Sequence, residues 1–229
     1  MLIIKKGLLS LDSILEGLPK STSVVIYGEL GTGKSTIARQ ILFEQLKKGD
    51  SGIYVTVDEP PREVRNHMKS FGWDIEKYEG KNFAVVDCYT WGVGATWMLE
   101  EIKNEEKYIV PSPAYPYQII KVIKDAEKQI GKGALILDSF SGLFKITYSE
   151  PELLVRFGKN FLGERIGRPT IVTIDEKVID HEKIEACTSV ADVNIHLKSI
   201  PEGFTATIST MGHVFEWKYK ITSEGIVLE

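Results

Sequence analysis

One stretch decides the fold of this chain of 229 residues, and it reads Gly28-Glu29-Leu30-Gly31-Thr32-Gly33-Lys34-Ser35. It matches G-x-x-x-x-G-K-[ST], the pattern of a P-loop, in which backbone N–H groups surround a polyphosphate at the start of a helix. Residues 23–27 read as a short buried strand, and residues 35–48 carry apolar side chains at helical spacing. A chance glycine turn before a helix is the alternative, but both flanks favour a P-loop. The sequence thus predicts an α/β protein that binds a nucleotide.

Two side chains of this motif predict how the nucleotide is held. The Lys34 ammonium would reach the β- and γ-phosphates, and the Ser35 hydroxyl would bind a magnesium ion. The expected ligands are therefore a nucleoside polyphosphate and Mg²⁺.

The overall charge gives no sign of a nucleic-acid-binding surface, because 28 Lys and Arg residues stand against 32 Asp and Glu, for a net charge of −4. A local basic patch is compatible with these counts, so nucleic acid stays a disfavoured partner. No apolar run approaches the roughly 18 residues of a membrane helix, and the N-terminus lacks the apolar region of a signal peptide. We therefore expect a cytoplasmic protein that has no membrane partner.

The order of the predicted elements indicates one domain over residues 1–229, since no Pro/Gly/Ser-rich linker divides the chain. It comprises a lead-in segment (1–22, with a short helix after Ser10), a P-loop core (23–175) and a C-terminal β-meander (190–229). In the core, strands at 52–57, 82–87, 134–138 and 169–174 alternate with helices at 62–71, 117–130 and 152–162, while 140–149 reads as a loop. Helices then stop, and strands follow at 192–198, 204–210, 214–221 and 225–228. This pattern predicts a mainly parallel central sheet flanked by helices, with an antiparallel C-terminal extension.

A long irregular segment, residues 88–116, interrupts the core, and such insertions are usually functional or mobile. Its tryptophans, Trp91 and Trp97, could stack on a base or anchor a partner, with Lys103 and Lys107 nearby. Burial in the core or packing against the adjoining sheet is the favoured alternative for both.

Asp138 is the second predicted anchor of the nucleotide site. It follows four apolar residues, so it lies at the carboxyl end of a buried strand, where α/β proteins bind their ligands. A carboxylate there can hold magnesium opposite the Ser35 hydroxyl. A helix or turn cap is the alternative role.

Asp58 and Glu59 end the strand that follows the P-loop helix, and in a parallel sheet that places them near the γ-phosphate. A carboxylate in this position can orient water or accept its proton. We assign this catalytic role to Glu59, with Asp58 as a neighbour that shares it. A solvated acidic turn before Pro60 and Pro61 is the alternative.

Several of these stretches resemble the KaiC-like branch of the RecA superfamily of ATPases. The likeness rests on residues 28–36, on the strand end YVTVDEPP at 54–61 and on FGWD at 71–74. It extends to Leu11-Asp12 with Leu15, to ILDS at 136–139 and to ITSEGIV at 221–227, so it covers almost the whole chain. The P-loop is common to many families, whereas an acidic strand end followed by Phe-Gly-Trp-Asp is much more specific.

The resemblance implies a RecA-type core that binds ATP or ADP with Mg²⁺. It also implies homo-oligomeric rings or filaments, a hexameric ring among them, with nucleotide between subunits. In this pattern Lys34 with Ser35 or Thr36 holds the phosphates and the metal. Glu59, next to Asp58, activates water, and Asp138 is the Walker B carboxylate.

The sequence departs from the family in its C-terminal meander. KaiC-like proteins usually carry a Lys-x-Arg-Gly element there, whose basic groups reach the γ-phosphate of the neighbouring subunit. Here the matching stretch is Ser209-Thr210-Met211-Gly212-His213, and no arginine follows Arg168. Such a trans-acting charge can contribute roughly 10³ to 10⁵ in rate. The candidates to replace it are Arg156, Arg165 and Lys218, although solvated surfaces explain these residues equally well.

Three functions follow from these observations. The first is a slow Mg²⁺-dependent ATPase that assembles into nucleotide-bridged oligomers, and the second is a regulatory or scaffold protein that binds ATP without useful turnover, with a protein partner still to be identified. The third is a recombinase paralogue that binds single-stranded DNA. A small-molecule kinase ranks last, because the chain has few arginines for a lid over the phosphates.

The remaining metal-binding residue types predict no further site. His181 begins a segment without the second histidine of a zinc helix, and His67, His196 and His213 are isolated in sequence, so we expect surface or capping roles. Cys88 and Cys187 form no CxxC pair, and we expect both to be buried thiols.

Overall fold

The computed structural model describes residues 20–93, 106–147, 150–163, 167–210 and 212–229. Nine strands in these ranges form one sheet, and their bounds are β1 (Ser23–Gly28), β2 (Gly52–Thr56), β3 (Phe83–Asp87), β4 (Ala134–Asp138), β5 (Thr170–Asp175), β6 (Val193–Ile200), β7 (Gly203–Thr210), β8 (His213–Thr222) and β9 (Gly225–Leu228). Their order across the sheet is β3-β2-β4-β5-β1-β6-β7-β8-β9. The predicted lead-in helix, Trp97, Lys103, Arg165 and Met211 lie outside the described residues.

The sheet has a parallel half and an antiparallel half. β3, β2, β4, β5, β1 and β6 pair in parallel, and from β6 to β9 every pairing is antiparallel. The predicted mainly parallel sheet with an antiparallel C-terminal extension is therefore confirmed. Because parallel strands all end at one edge, the residues after β1, β2, β4 and β5 meet there.

Six α-helices accompany the sheet in the described ranges, with the bounds α1 (Lys34–Lys47), α2 (Pro61–Ser70), α3 (Pro116–Ile130), α4 (Phe140–Ile146), α5 (Pro151–Gly163) and α6 (His181–Thr188). The apolar side chains of α1 and α2 pack on one face of the sheet. Those of α3 to α6 pack on the other face. Alternate strand residues supply the two cores, as Val24 and Val25 of β1 show.

Two sequence expectations about helices are wrong. Residues 140–149 were expected to form a loop, but α4 occupies most of them, capped by Ser139, whose Oγ accepts a hydrogen bond from the Gly142 N–H at 2.9 Å. Helices also do not stop after β5, because α6 follows it. α6 has eight residues and buries only Ile184 and Cys187, too few apolar positions to show a helical period.

The described residues contain no helix that is both long and apolar enough to cross a membrane. Cys88 and Cys187 are buried free thiols, as expected. Burial raises the pKa of Cys187 to about 11 and holds that of Cys88 well above its ordinary value.

The antiparallel half of the sheet contacts the P-loop and the helix that follows it. The hydroxyl of Tyr219, a fully buried residue of β8, donates a hydrogen bond to the Thr32 carbonyl at 2.5 Å. From β9, the Ile226 N–H donates to the Gln40 side chain on α1 at 2.8 Å. The meander thus fixes the position of the loop and of the helix that follows it.

Candidate nucleotide-binding site

Two glycines give the P-loop a shape that other residues could not adopt. Gly28 has φ +153°, and a Cβ there would lie 2.2 Å from the Leu197 carbonyl oxygen on the neighbouring β6. Gly33 has φ +84°, in the left-handed region, and a Cβ there would lie 2.9 Å from Cδ1 of Ile221 on β8. The loop can therefore pass close to both strands and enter α1, and the first N–H groups of a helix are the ones available to an anion.

Lys34 is the first side chain of α1, and it folds back over the loop. Its Nζ donates to the carbonyl oxygens of Gly28 at 2.9 Å and Glu29 at 2.6 Å. Burial lowers the pKa of the Lys34 ammonium, and nearby carboxylates, Asp175 and Asp138 first among them, partly oppose this shift. A polyphosphate on the loop would offer this ammonium stronger acceptors than the two carbonyls do.

Asp138 lies at the end of β4, in contact with the P-loop helix. Its Oδ1 accepts hydrogen bonds from Ser35 Oγ at 3.0 Å and from Thr173 Oγ1, on β5, at 2.5 Å. Its Oδ2 accepts one from the hydroxyl of the buried Tyr54. The peptide bond that joins Asp138 to Ser139 is cis. The structure thus brings together the two residues for which the sequence predicts a shared metal.

Glu59 follows β2 and is held by two basic side chains. One carboxylate oxygen forms an ion pair with Arg39, which projects from α1 and is almost fully buried. The other oxygen lies 2.9 Å from His67 Nδ1 on α2. Arg39 also donates from Nε to the Tyr54 hydroxyl at 2.8 Å, and it lies 3.5 Å from Asp138 Oδ2. One guanidinium therefore links the predicted water-activating residue to the predicted metal ligand.

Asp58 faces α4 rather than α1. Its carboxylate accepts a hydrogen bond from Ser139 Oγ and lies 3.6 Å from Lys145 Nζ. Gly142 makes this approach possible, because a Cβ there would lie 2.6 Å from Asp58 Oδ1. The two neighbouring carboxylates thus point toward different elements.

Most of these groups line one cleft of about 540 Å³ at the carboxyl edge of the parallel strands. Nine of the predicted site residues line this cleft: Leu30, which is exposed, Gly31, Gly33, Lys34, Ser35, Thr36, Asp58, Glu59 and Asp138. Gly28, Glu29 and Thr32 shape the loop behind them.

Three basic residues of the cleft were not predicted from the sequence, and they are Arg39, His67 and Lys145. His67 lies at the surface as expected, with 54% of its side chain exposed, and its ring also contacts Glu59. One sequence feature could have indicated Arg39, because it is an arginine inside the apolar run of α1, between Ala38 and Ile41. No sequence feature indicated Lys145, since its segment was expected to form a loop.

Outside the cleft, Trp91 is not part of the core, because 38% of its surface is exposed, while its packing against the adjoining sheet stays a prediction. The proposed substitutes for a trans-acting cation include Arg156, exposed on α5, and Lys218, whose Nζ is 3.9 Å from the Glu202 carboxylate. Neither lines this cleft.

The turn that lacks the Lys-x-Arg element joins β7 to β8 at the amino end of the parallel strands, opposite the P-loop. Thr210 pairs with Val193, which pairs with Val24 on β1, four residues before the P-loop begins at Gly28. At about 3.3 Å per residue, roughly 13 Å of strand separates this turn from the loop of the same chain. A group on the turn therefore lies far from the P-loop of its own chain.

The sheet, the P-loop and the carboxylate at the end of β4 place the chain in the P-loop class of α/β proteins. A sequence model of the family described as "ATPase: KaiC" matches residues 4–203. The chain belongs to this family, which confirms the resemblance read from its motifs.

Relatives and a solved structure agree with this assignment. A UPF0273 protein from Pyrococcus furiosus is 38% identical over 143 residues, which cover 62% of this chain and 56% of the relative. Another from Aeropyrum pernix is 37% identical over 143 residues, with 62% and 55% covered. The chain thus spans about half the length of the curated relatives it matches. The crystal structure of a KaiC-like protein from Pyrococcus horikoshii has a TM-score of 0.61 at 22% identity, covers 93% of this chain and 91% of its own, and shows the fold.

Proposed function

We propose that this protein binds ATP in the P-loop cleft and hydrolyses it slowly in a Mg²⁺-dependent reaction. The observation that carries the proposal is the meeting of Lys34, Ser35, Asp138 and Glu59 in one cleft, although they come from three separate parts of the chain. Membership of the KaiC family supports nucleotide binding. Because ATP is a cytoplasmic nucleotide, a cytoplasmic location is part of the proposal, as is one domain over residues 1–229.

The residues present fit a magnesium ion. Mg²⁺ prefers oxygen ligands, and the facing groups of Ser35 and Asp138 are a hydroxyl and a carboxylate that already lie 3.0 Å apart. When bound, the ion would neutralise charge on the β- and γ-phosphate oxygens. Thr173 and Tyr54, which donate to Asp138, hold its carboxylate in place.

The proposed chemistry is the attack of water on the γ-phosphorus. A new bond forms between the water oxygen and phosphorus, the bond from phosphorus to the β,γ-bridging oxygen breaks, and ADP and phosphate leave. Glu59 accepts the proton of the attacking water and passes it to solvent. Lys34 holds the phosphates throughout, and the P-loop N–H groups orient them.

The contacts of Glu59 explain why this turnover would be slow. Arg39 and His67 each bind one oxygen of its carboxylate, so both side chains compete with a water molecule for this group.

We further propose that the protein assembles into nucleotide-bridged homo-oligomers, with a ring as the expected form. Two things support this assembly: the likeness to the KaiC family, and the position of the β7–β8 turn, which is too far from the P-loop of its own chain to act in cis. Without a Lys-x-Arg element, the turn presents His213 to a neighbour.

Binding without useful turnover is the second candidate function, in which the protein is a nucleotide-responsive regulator or scaffold for an unidentified partner. Two observations favour this function. Arg39 and His67 both contact the Glu59 carboxylate, and the sequence at 209–213 lacks the Lys-x-Arg element. No contact in the described part of the chain favours the third reading, a single-stranded DNA-binding recombinase paralogue.

Phosphate release and sedimentation, measured on the same samples with and without Mg-ATP, test these proposals. We expect slow release by the parent, a loss of about 10²-fold or more in Glu59→Gln, and a nucleotide-dependent increase in mass. Glu76→Gln makes the same change on an exposed residue outside the cleft and should hydrolyse ATP at the parent rate.

Parent-like release by Glu59→Gln would show that Glu59 is not the base. Tight ATP binding by the parent without any release, at high protein concentration, would favour the regulatory function over the ATPase.

A further inference from the structure

Among the cleft-lining residues that the structure describes, four carry basic side chains: Lys34, Arg39, His67 and Lys145. Arg39 is almost fully buried and engaged by Glu59, Asp138 and Tyr54. His67 contacts Glu59, and Lys34 belongs to the P-loop. Lys145 is different, because its side chain is 57% exposed and its ion pair with Asp58 is long, at 3.6 Å. Such a pair is weak and easily exchanged for a stronger anion.

Lys145 is directed at the cleft by the packing of α4. This helix starts right after Asp138, and Gly142 is the position where Asp58 lies against it. Lys145 follows Gly142 by three residues, so it lies on the same face of the helix. The same contact that places Asp58 at the cleft therefore places Lys145 there.

The order of strands puts Lys145 across the cleft from Lys34. The sheet runs β2-β4-β5-β1, with the P-loop and Lys34 after β1 and Asp58 with its partner Lys145 beside the end of β2. A triphosphate on the P-loop would extend from Lys34 toward Lys145. The γ-phosphate is the group nearest the water-activating carboxylates, which also follow β2.

We propose that Lys145 binds the γ-phosphate of ATP from within the same subunit and so supplies the positive charge that the β7–β8 turn lacks. Without nucleotide, Asp58 pairs with the ammonium, and the γ-phosphate displaces this carboxylate. Lys145 then selects triphosphate over diphosphate and stabilises charge on the transferring phosphoryl group. The inference rests on the proposed nucleotide site, but its selectivity does not require hydrolysis.

The test compares affinities for β,γ-imido-ATP and ADP, both with Mg²⁺, measured by calorimetry on the full chain. We expect Lys145→Gln to weaken binding of the triphosphate analogue about tenfold and that of ADP less than about twofold, because only the first has a γ-phosphate. Lys145→Arg, which keeps the charge, should restore most of the preference.

Lys177→Gln is the matched control. Lys177 is also exposed beside the P-loop, with its Nζ 3.0 Å from the Glu29 carboxylate, but it does not line the cleft. It should keep the parent ratio of the two affinities. Because Lys145 and Lys177 are both exposed, neither change removes core packing, and thermal unfolding verifies this.

The possible results separate the two proposals. An unchanged ratio in Lys145→Gln, or an equal change in Lys177→Gln, overturns the role of Lys145 whether or not the parent hydrolyses ATP. A changed ratio in Lys145→Gln alone supports it, even if phosphate release is absent and the ATPase proposal fails. If the parent does turn over, Lys145→Gln should also lower its rate by roughly 10- to 10³-fold.

Discussion

The two sides of the cleft are built in different ways. On the proposed phosphate side, backbone conformation makes the site: eight consecutive residues form the loop that we propose surrounds a polyphosphate, and glycines allow its turn. On the water side, side chains make it, and Arg39, Glu59, His67 and Lys145 come from four different elements. A site of the first kind is visible as a motif, whereas one of the second kind exists only after folding. The variants below separate the two sides, in order of decreasing effect.

The largest effect is expected from Gly28→Ala on the phosphate side. Its Cβ would lie 2.2 Å from the Leu197 carbonyl oxygen, at a φ of +153° that alanine rarely adopts. We expect a loss of at least about 3 kcal/mol in the free energy of unfolding, from overpacking and backbone strain together. Urea unfolding measures this.

Gly31→Ala is the matched control, because φ is also positive there but no atom lies within 4 Å of the added Cβ. It should cost only about 1 kcal/mol. Equal losses in the two variants would mean that the contact with β6 does not shape the loop.

Arg39→Met should produce the next largest effect, this time on the water side. It leaves Glu59 and Asp138 without their shared cation, and breaking such a buried pair costs about 3 kcal/mol. If ATP is hydrolysed, we expect release to fall more than roughly tenfold while ATP affinity changes less than about threefold. Urea unfolding and calorimetry measure the two effects.

Arg65→Met serves as its control. Arg65 also pairs with two carboxylates, Glu79 and Glu106, but away from the cleft. It should lose stability without a change in the rate per folded molecule. Similar rates for both variants would show that Arg39 is purely structural.

A smaller effect should follow from Tyr219→Phe, which removes the support of the P-loop by the meander. The variant loses one buried hydrogen bond to Thr32, worth about 1 kcal/mol. ATP binding should weaken a few-fold because the loop is held less firmly. Tyr108→Phe removes an exposed hydrogen bond to Gln129 and should change neither quantity measurably.

What could be predicted from the sequence follows the same division. Hydrophobic runs gave the strands of the parallel half and the change to a meander, because buried strands and turn residues are local signals. Asp138 was placed correctly beside Ser35, since both end or follow parallel strands at one edge.

The rest depended on contacts between distant residues. α4 was missed because this helix has only seven residues. α6 was missed because two buried positions show no period. Arg39 and His67 contact Glu59 only in the folded chain, and no spacing in the sequence predicts those contacts.

The most direct test of the central claim is to measure Mg-ATP affinity for Lys34→Ala and Glu59→Gln by calorimetry. If one side of the cleft binds phosphate and the other acts on water, Lys34→Ala should lose at least about 10²-fold in affinity and Glu59→Gln less than about threefold. Equal losses in the two variants, or unchanged binding in Lys34→Ala, would contradict this division of the site.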